Sequence, residues 1–327
     1  MLLPLLLMAA QASAFEWQLP AGFPTPYVPL DNPMSRAKVA LGRRLFFETR
    51  LSVSGRYNCA SCHDPARSYS DGRPLAIGAA GADLPRSSMA LINVAYNLSY
   101  GWQHPQVTTL EAQMRLPLLN RHPVEMGLAG RERTVVAALA ADPTYARAFA
   151  DVFGGAISTT RIIKAIAAFE RTLIDGDSAF DAYVFGGRHD ALSADAKRGM
   201  ALFFSQRIGC AGCHSGFNFS GNWRDRAGPT GKASFADDGL GVGPVRVPTL
   251  RNIALTAPYM HDGRFATLDA VLDHYEHVGR LPDRAHGGQR DRRLQPFSLT
   301  GAERADLKAF LESLTERSAL AAQPQSG

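Results

Sequence analysis

Apolar residues recur mostly at three- and four-residue spacing along this chain, the pattern of helices that bury one face. The clearest run is Thr160-Arg-Ile-Ile-Lys-Ala-Ile-Ala-Ala-Phe-Glu-Arg171, inside a helix expected over 157–180 with Ser158 or Thr159 as its N-cap. A second helix is expected over 131–149. Ser193 is expected to cap another, and a last one runs over 301–314 with no packing partner evident from its pattern. Gly- and Pro-rich stretches over 72–85 and 216–248 read as loops, and strand signals are sparse. Gly239-Leu-Gly241-Val-Gly243 has the look of a dinucleotide loop, but it follows no strand and opens no helix, so it reads as a flexible loop.

The chain has 327 residues with 46% hydrophobic and 20% charged content, enough for a large core in one or two globular domains. Residues 1–14 form a short apolar run ending in Ala12-Ser13-Ala14, a small-x-small cleavage pattern, which predicts a signal peptide and a periplasmic product. The run is too short to serve as a membrane anchor, and no later stretch is apolar enough to span a bilayer. The net charge of +5 comes from dispersed arginines with no basic tract interleaved with aromatics. Nucleic-acid binding is therefore not expected.

All four cysteines fall in two copies of one pentapeptide, Cys59-Ala-Ser-Cys62-His63 and Cys210-Ala-Gly-Cys213-His214. This is the haem c attachment pattern: two thiols add across the porphyrin vinyl groups while the adjacent imidazole turns under the ring to bind iron. Zinc would want further ligands close by, and a redox CxxC pair has no need of a histidine after it.

The rest of the chain repeats too. Gly42-Arg-Arg-Leu45-Phe46-Phe47 precedes the first motif, and Gly199-Met-Ala-Leu202-Phe203-Phe204 precedes the second. After the motifs, Ala90-Leu-Ile-Asn93-Val-Ala matches Thr249-Leu-Arg-Asn252-Ile-Ala, and Thr109-Leu110-Glu111-Ala112 matches Thr267-Leu268-Asp269-Ala270. The reading is a mainly α fold of two cytochrome-c-like haem domains related by internal duplication, over 15–185 and 186–327.

Function then turns on the sixth coordination position of each iron. Eight residues beyond Thr267 stands Tyr275, flanked by His274 and His277, all able to ligate iron; eight beyond Thr109 stands Pro117, which cannot. The two haems should differ, one relaying electrons and the other doing chemistry. Near the open site the sequence places Trp102, Gln113 and Glu125. A carboxylate there can take a proton from bound hydrogen peroxide and return it to the departing oxygen.

The two CxxCH motifs, Gly101-Trp102, Pro123-Val-Glu-Met-Gly127 and Pro248-Thr-Leu-Arg-Asn-Ile-Ala-Leu-Thr-Ala-Pro-Tyr-Met-His-Asp-Gly263 together resemble the bacterial dihaem cytochrome c peroxidase family, including its MauG branch. The resemblance implies a peroxidatic N-terminal haem and an electron-transfer C-terminal haem, with Trp102 between them and Gln113 and Glu125 at the peroxide site. It also implies a calcium ion held by the Thr256 and Pro258 carbonyls and an Asn. Ser87 stands at the usual Asn position, which leaves Asn93 as the substitute. The Gln113 to Glu125 spacing is two residues longer than in the family.

Typical members carry Met where Tyr275 stands and a distal His where Ala79 stands. Both departures resemble MauG, and a phenolate would lower the second haem's potential by favouring ferric iron. The main expectation is a peroxidase drawing electrons from a small cytochrome c or cupredoxin. One alternative is a MauG-type maturase that oxidises tryptophans of a partner protein. There a surface Trp stands two residues before the second motif, and here that residue is Ile208. Another alternative is a dihaem electron carrier, which would need Met114 or His122 to cap the first iron. His261 is expected to be structural, and His104, His122, His189 and His286 to lie on the surface or in loops.

Overall fold

The computed structural model describes residues 15–221, 245–278 and 293–316, plus the backbone of short antiparallel strand pairs between them, one of which joins Phe235–Ala236 to Val245–Arg246. The expected signal peptide, the 239–243 loop and His286 lie outside the described residues. The architecture is mainly helical, and no helix among the described residues is long and apolar enough to cross a membrane.

In the first half, α1 (Arg36–Phe46) crosses α5 (Thr159–Glu170), with α2 (Leu110–Leu119), α3 (Glu132–Ala140) and α4 (Pro143–Phe153) packed around them. The crossing is close because Gly42 carries no side chain: a Cβ there would lie 1.9 Å from the Ala165 carbonyl oxygen. Leu45 and Phe46, one turn on, are fully buried. The second half repeats the arrangement with α7 (Ala194–Phe203) against α9 (Gly301–Glu312). A Cβ on Gly199 would lie 1.9 Å from the Asp306 carbonyl oxygen. The last helix thus has α7 as its partner, a contact across a hundred residues that no local pattern announces.

Two expected helices are shorter than their apolar periodicity suggested. The one over 131–149 is two helices, α3 and α4, because Pro143 has no N–H to continue the ladder and instead occupies the first turn of a new helix. The Asp142 side chain caps that turn by accepting from the Thr144 amide at 2.9 Å. The helix over 157–180 stops at Glu170, and α6 (Ala179–Val184) starts afresh behind Ser178. The chain between must pass Gly176 against Phe23, whose ring would lie 2.6 Å from a Cβ. Ser158, rather than Thr159, caps α5, and Ser193 caps α7.

Each half has its own apolar core. The first ends at Leu173 and the second opens at Phe180, so α6 packs with the second half. The halves meet through Asn93 and Asn252, both in the left-handed conformation (φ 58° and 56°) at the start of matching short 3-10 turns. The Asn93 amide donates to Leu173 O behind α5, and the Asn252 amide to Leu314 O behind α9. Both side chains converge on Asp175.

Candidate active site

Each CxxCH motif forms a 3-10 turn, Cys59–Ser61 and Cys210–Gly212, that brings the following histidine back over the turn: His63 N donates to Cys59 O at 3.0 Å and His214 N to Cys210 O at 2.9 Å. None of the four cysteines is in a disulfide. Burial pushes the Cys62 thiol up to about 11 and Cys210 to about 12, so they stay neutral thiols. The His63 Nδ1 contacts Tyr69 O at 2.9 Å and the His214 Nδ1 contacts Phe219 O at 3.0 Å. A carbonyl only accepts, so Nδ1 must carry the proton and Nε2 keeps its lone pair for a metal. Burial holds both imidazoles neutral by lowering their pKa. This donor set, a thiol pair beside a neutral, oriented imidazole, fits a haem in both halves. The sequence reading missed the carbonyl partners. Tyr69 (φ 61°) and Phe219 (φ 49°) present them from the left-handed region, which costs a non-glycine residue about 1–2 kcal/mol and leaves no composition signal.

The second motif opens on a cavity lined by Cys210, Cys213, His214, Leu272, His274 and Tyr275. Tyr275 sits on α8 (Leu268–Val278), whose first turn is capped by Thr267 Oγ1 accepting from the Ala270 amide. Burial, with added contributions from Cys210 and Cys213, raises the Tyr275 phenol pKa, and the three residues line one cavity. His274 leans on Phe265, and His277 is exposed. Ile208 is buried and lines the cavity.

Trp102, from the first half, also lines this cavity. Its Nε1 donates to Ser87 O at 2.9 Å, and its carbonyl accepts from the Arg246 amide at 2.8 Å. Ser87 is itself bound to the second half, its amide to His261 O and its hydroxyl to Met260 O, both at 2.9 Å. His261 is buried with its ring edge-on to Trp102 at 6.3 Å, a packing role in line with the expectation.

The first site differs where Tyr275 has no counterpart. Thr109 caps α2 as Thr267 caps α8, so Pro117 occupies the matching position. Its carbonyl, left without a helical partner near the helix end, accepts from the Met126 amide at 2.8 Å, while the Leu118 carbonyl accepts from Leu128 at 2.9 Å. The loop carrying Glu125 is thereby folded back along α2. Its other side is fixed by the Ala79 amide donating to Glu125 O at 2.6 Å, and by Gly78, where a Cβ would meet Val124 O at 2.2 Å. Burial raises the pKa of Glu125, and its carboxylate is near enough to Cys62 to help raise that thiol. Gln113, on α2, has a buried Oε1 with no hydrogen-bond partner. An orphaned buried acceptor suits a small protic ligand. Met114 is packed into the first core, and His122 is exposed.

Thr256 and Pro258 line the second cavity. Asn93 does not join them there, since its Nδ2 donates to Asp175 O at 2.9 Å and its Oδ1 accepts from the Asp175 amide at 3.0 Å. The function proposed below calls on no calcium ion. Asp175 itself belongs to an acidic group with Asp177 and Glu316.

Paired histidine-bearing turns, one sharing a cavity with a phenol and the other having a partly buried carboxylate near Cys62, fit a dihaem oxidoreductase. The chain belongs to the di-haem cytochrome c peroxidase family, whose model matches residues 36–189. It is 38% identical over 307 residues to the methylamine utilization protein MauG of Methylorubrum extorquens, covering 91% of this chain and 83% of that protein. It is 34% identical over 350 residues to the cytochrome-c peroxidase IdrP1 of Denitromonas iodatirespirans, covering 94% and 89%. A solved MauG-like protein associated with microbial copper homeostasis matches with a TM-score of 0.86 at 36% identity, over 94% of this chain and 98% of that one. The diheme peroxidase BthA of Burkholderia thailandensis, at 20% identity and a TM-score of 0.69, shares the fold.

Proposed function

We propose that this protein is an exported, periplasmic peroxidase that reduces hydrogen peroxide at its first haem and takes the electrons from a small cytochrome c or cupredoxin through its second. The haems are attached at Cys59 and Cys62 and at Cys210 and Cys213, with His63, His214 and Tyr275 as iron ligands. The observation that carries the reading is the asymmetry between Tyr275 on α8 and Pro117 on α2, with Glu125 folded beside Pro117.

The haem supplies an iron that binds peroxide and exchanges electrons. The chain supplies the proton handling and the path. Glu125, ionised, takes a proton from the bound peroxide and gives it to the outer oxygen as the O–O bond breaks, so the first water leaves without charge separation. Gln113 Oε1 accepts a hydrogen bond from the peroxide and orients it. Two electrons from the partner and two solvent protons complete the reduction to two waters. Trp102, bonded to both halves, is the relay.

The maturase reading has the similarity to MauG in its favour. Against it, the position expected to carry a surface Trp is Ile208, which is buried. A redox protein is therefore the favoured partner. A plain electron carrier is disfavoured because Met114 is packed in the core and His122 is exposed. The test is to mix ferric protein with stoichiometric peroxide and record optical and paramagnetic resonance spectra. Loss of a high-spin signal without prior reduction is expected. Two low-spin haems indifferent to peroxide, cyanide and carbon monoxide would overturn the proposal.

A further inference from the structure

Among the described residues three arginines are buried: Arg171, Arg246 and Arg251. Two of them have carboxylate partners. Arg251 holds Asp181 through two bonds of 2.8 Å, and Arg171 holds Glu111 at 2.8 Å. Arg246 has none. Its Nη2 lies 3.3 Å from the Met89 sulfur, a weak and neutral acceptor, and its Nε has no partner at all. Burial lowers its pKa to about 10, so it remains a cation at neutral pH. An uncompensated buried charge costs several kcal/mol, and natural cores leave one only where an anion arrives from elsewhere.

The place where it could arrive is on the page. Arg246 lines the same cavity as His214 and Tyr275. The cavity wall is graded: Phe203, Leu307 and Leu311 make one part apolar, whereas Ser87, Ser88 and Arg246 make another polar. A haem is graded in the same sense, with an apolar ring and two carboxylate side chains on one edge.

We propose that Arg246 is the cationic anchor for a propionate carboxylate of the second haem, which rests on the functional reading above. The guanidinium presents a planar fork suited to a carboxylate, so the pair satisfies both buried groups. The Arg246 amide donates to Trp102 O at 2.8 Å, so the residue that grips the haem edge also holds the Trp102 backbone. A cation held against the haem edge stabilises the electron-rich ferrous state. Arg246 thus offsets part of the potential drop imposed by the Tyr275 phenolate, and acts as a positioning and tuning residue.

The experiment is a spectroelectrochemical titration of the haem-loaded full chain and of Arg246→Gln and Arg246→Lys, after the wild type's haem content is counted from its pyridine haemochrome. In Arg246→Gln the second haem's ferric-to-ferrous equilibrium should shift about tenfold toward ferric, about 59 mV for a one-electron couple, while the first haem stays put. Arg246→Lys keeps the charge and should stay within about threefold of wild type, on the same scale. If the glutamine variant fails to retain the second haem, the lysine variant decides. A lysine variant shifted as far as a charge loss, or a glutamine variant with both haems and an unmoved potential, overturns the anchor while leaving the function intact. A wild type without two haems overturns the functional reading and the anchor with it.

Discussion

The Ala79 amide donates to the Glu125 carbonyl at 2.6 Å, so the loop before the first haem's open face and the carboxylate proposed to work there move as one piece. The resemblance places a blocking histidine at this position in typical peroxidases, and here the residue is Ala79.

Replacing Glu125 with Gln should slow peroxide consumption by about 100-fold or more while leaving haem content unchanged, since loss of a general acid/base costs about that much. The raised pKa of Glu125 adds a pH signature. The carboxylate must be ionised to accept a proton, so kcat/KM should fall as pH drops through a value above the ordinary 4.5. That acid limb should vanish in Glu125→Gln. A variant with wild-type rates would remove Glu125 from the reaction.

Tyr275→Phe should change the optical and paramagnetic resonance signals of one haem and leave the other untouched. Unaltered spectra in both would reject the phenol as a ligand and return attention to His274, which lines the same cavity.

Gly42→Ala and Gly199→Ala should each destabilise the haem-loaded protein by about 1–3 kcal/mol in denaturant unfolding, despite alanine's better helix propensity. In both, the added carbon would sit 1.9 Å from a carbonyl oxygen of the facing helix, backbone that cannot rotate away. No loss of stability in either would mean that the helix pairs can spread.

Much of this was open to a reader of the sequence, for reasons that differ by element. The CxxCH turns are legible because the proposed covalent attachment demands one spacing, and Ser158 and Ser193 because caps are local. Counting from Thr109 and Thr267 works because both are real N-caps, so the helices share a register. The break at Pro143 was legible in principle but masked by apolar periodicity that runs through it. Other features have no local signal. The pairing of α7 with α9, the left-handed carbonyls of Tyr69 and Phe219, and the isolation of Arg246 depend on what the rest of the chain brings to them.

Glu170 offers a test of stability that is independent of turnover. It is buried, and burial raises its pKa from 4.5 to about 8. A carboxyl raised on folding binds its proton more tightly in the folded state, so its contribution is complete below 4.5 and is lost as pH rises toward about 8. Thermal melts should therefore show a midpoint that declines across this interval, with a shallower decline in Glu170→Gln. Equal slopes in the two proteins would show that the carboxyl ionises without penalty.

The bonds around Trp102 have a mechanical consequence. The indole is held by Ser87 and the Trp102 backbone carbonyl by the Arg246 amide, and Ser87 is in turn stitched to Met260 and His261. Sliding one half past the other would shear all of these links at once, which makes the tryptophan a rivet. With Trp102 as the proposed relay, the tunnelling gap across it is set when the chain folds, so turnover would alter an electron's energy but not the length of its route.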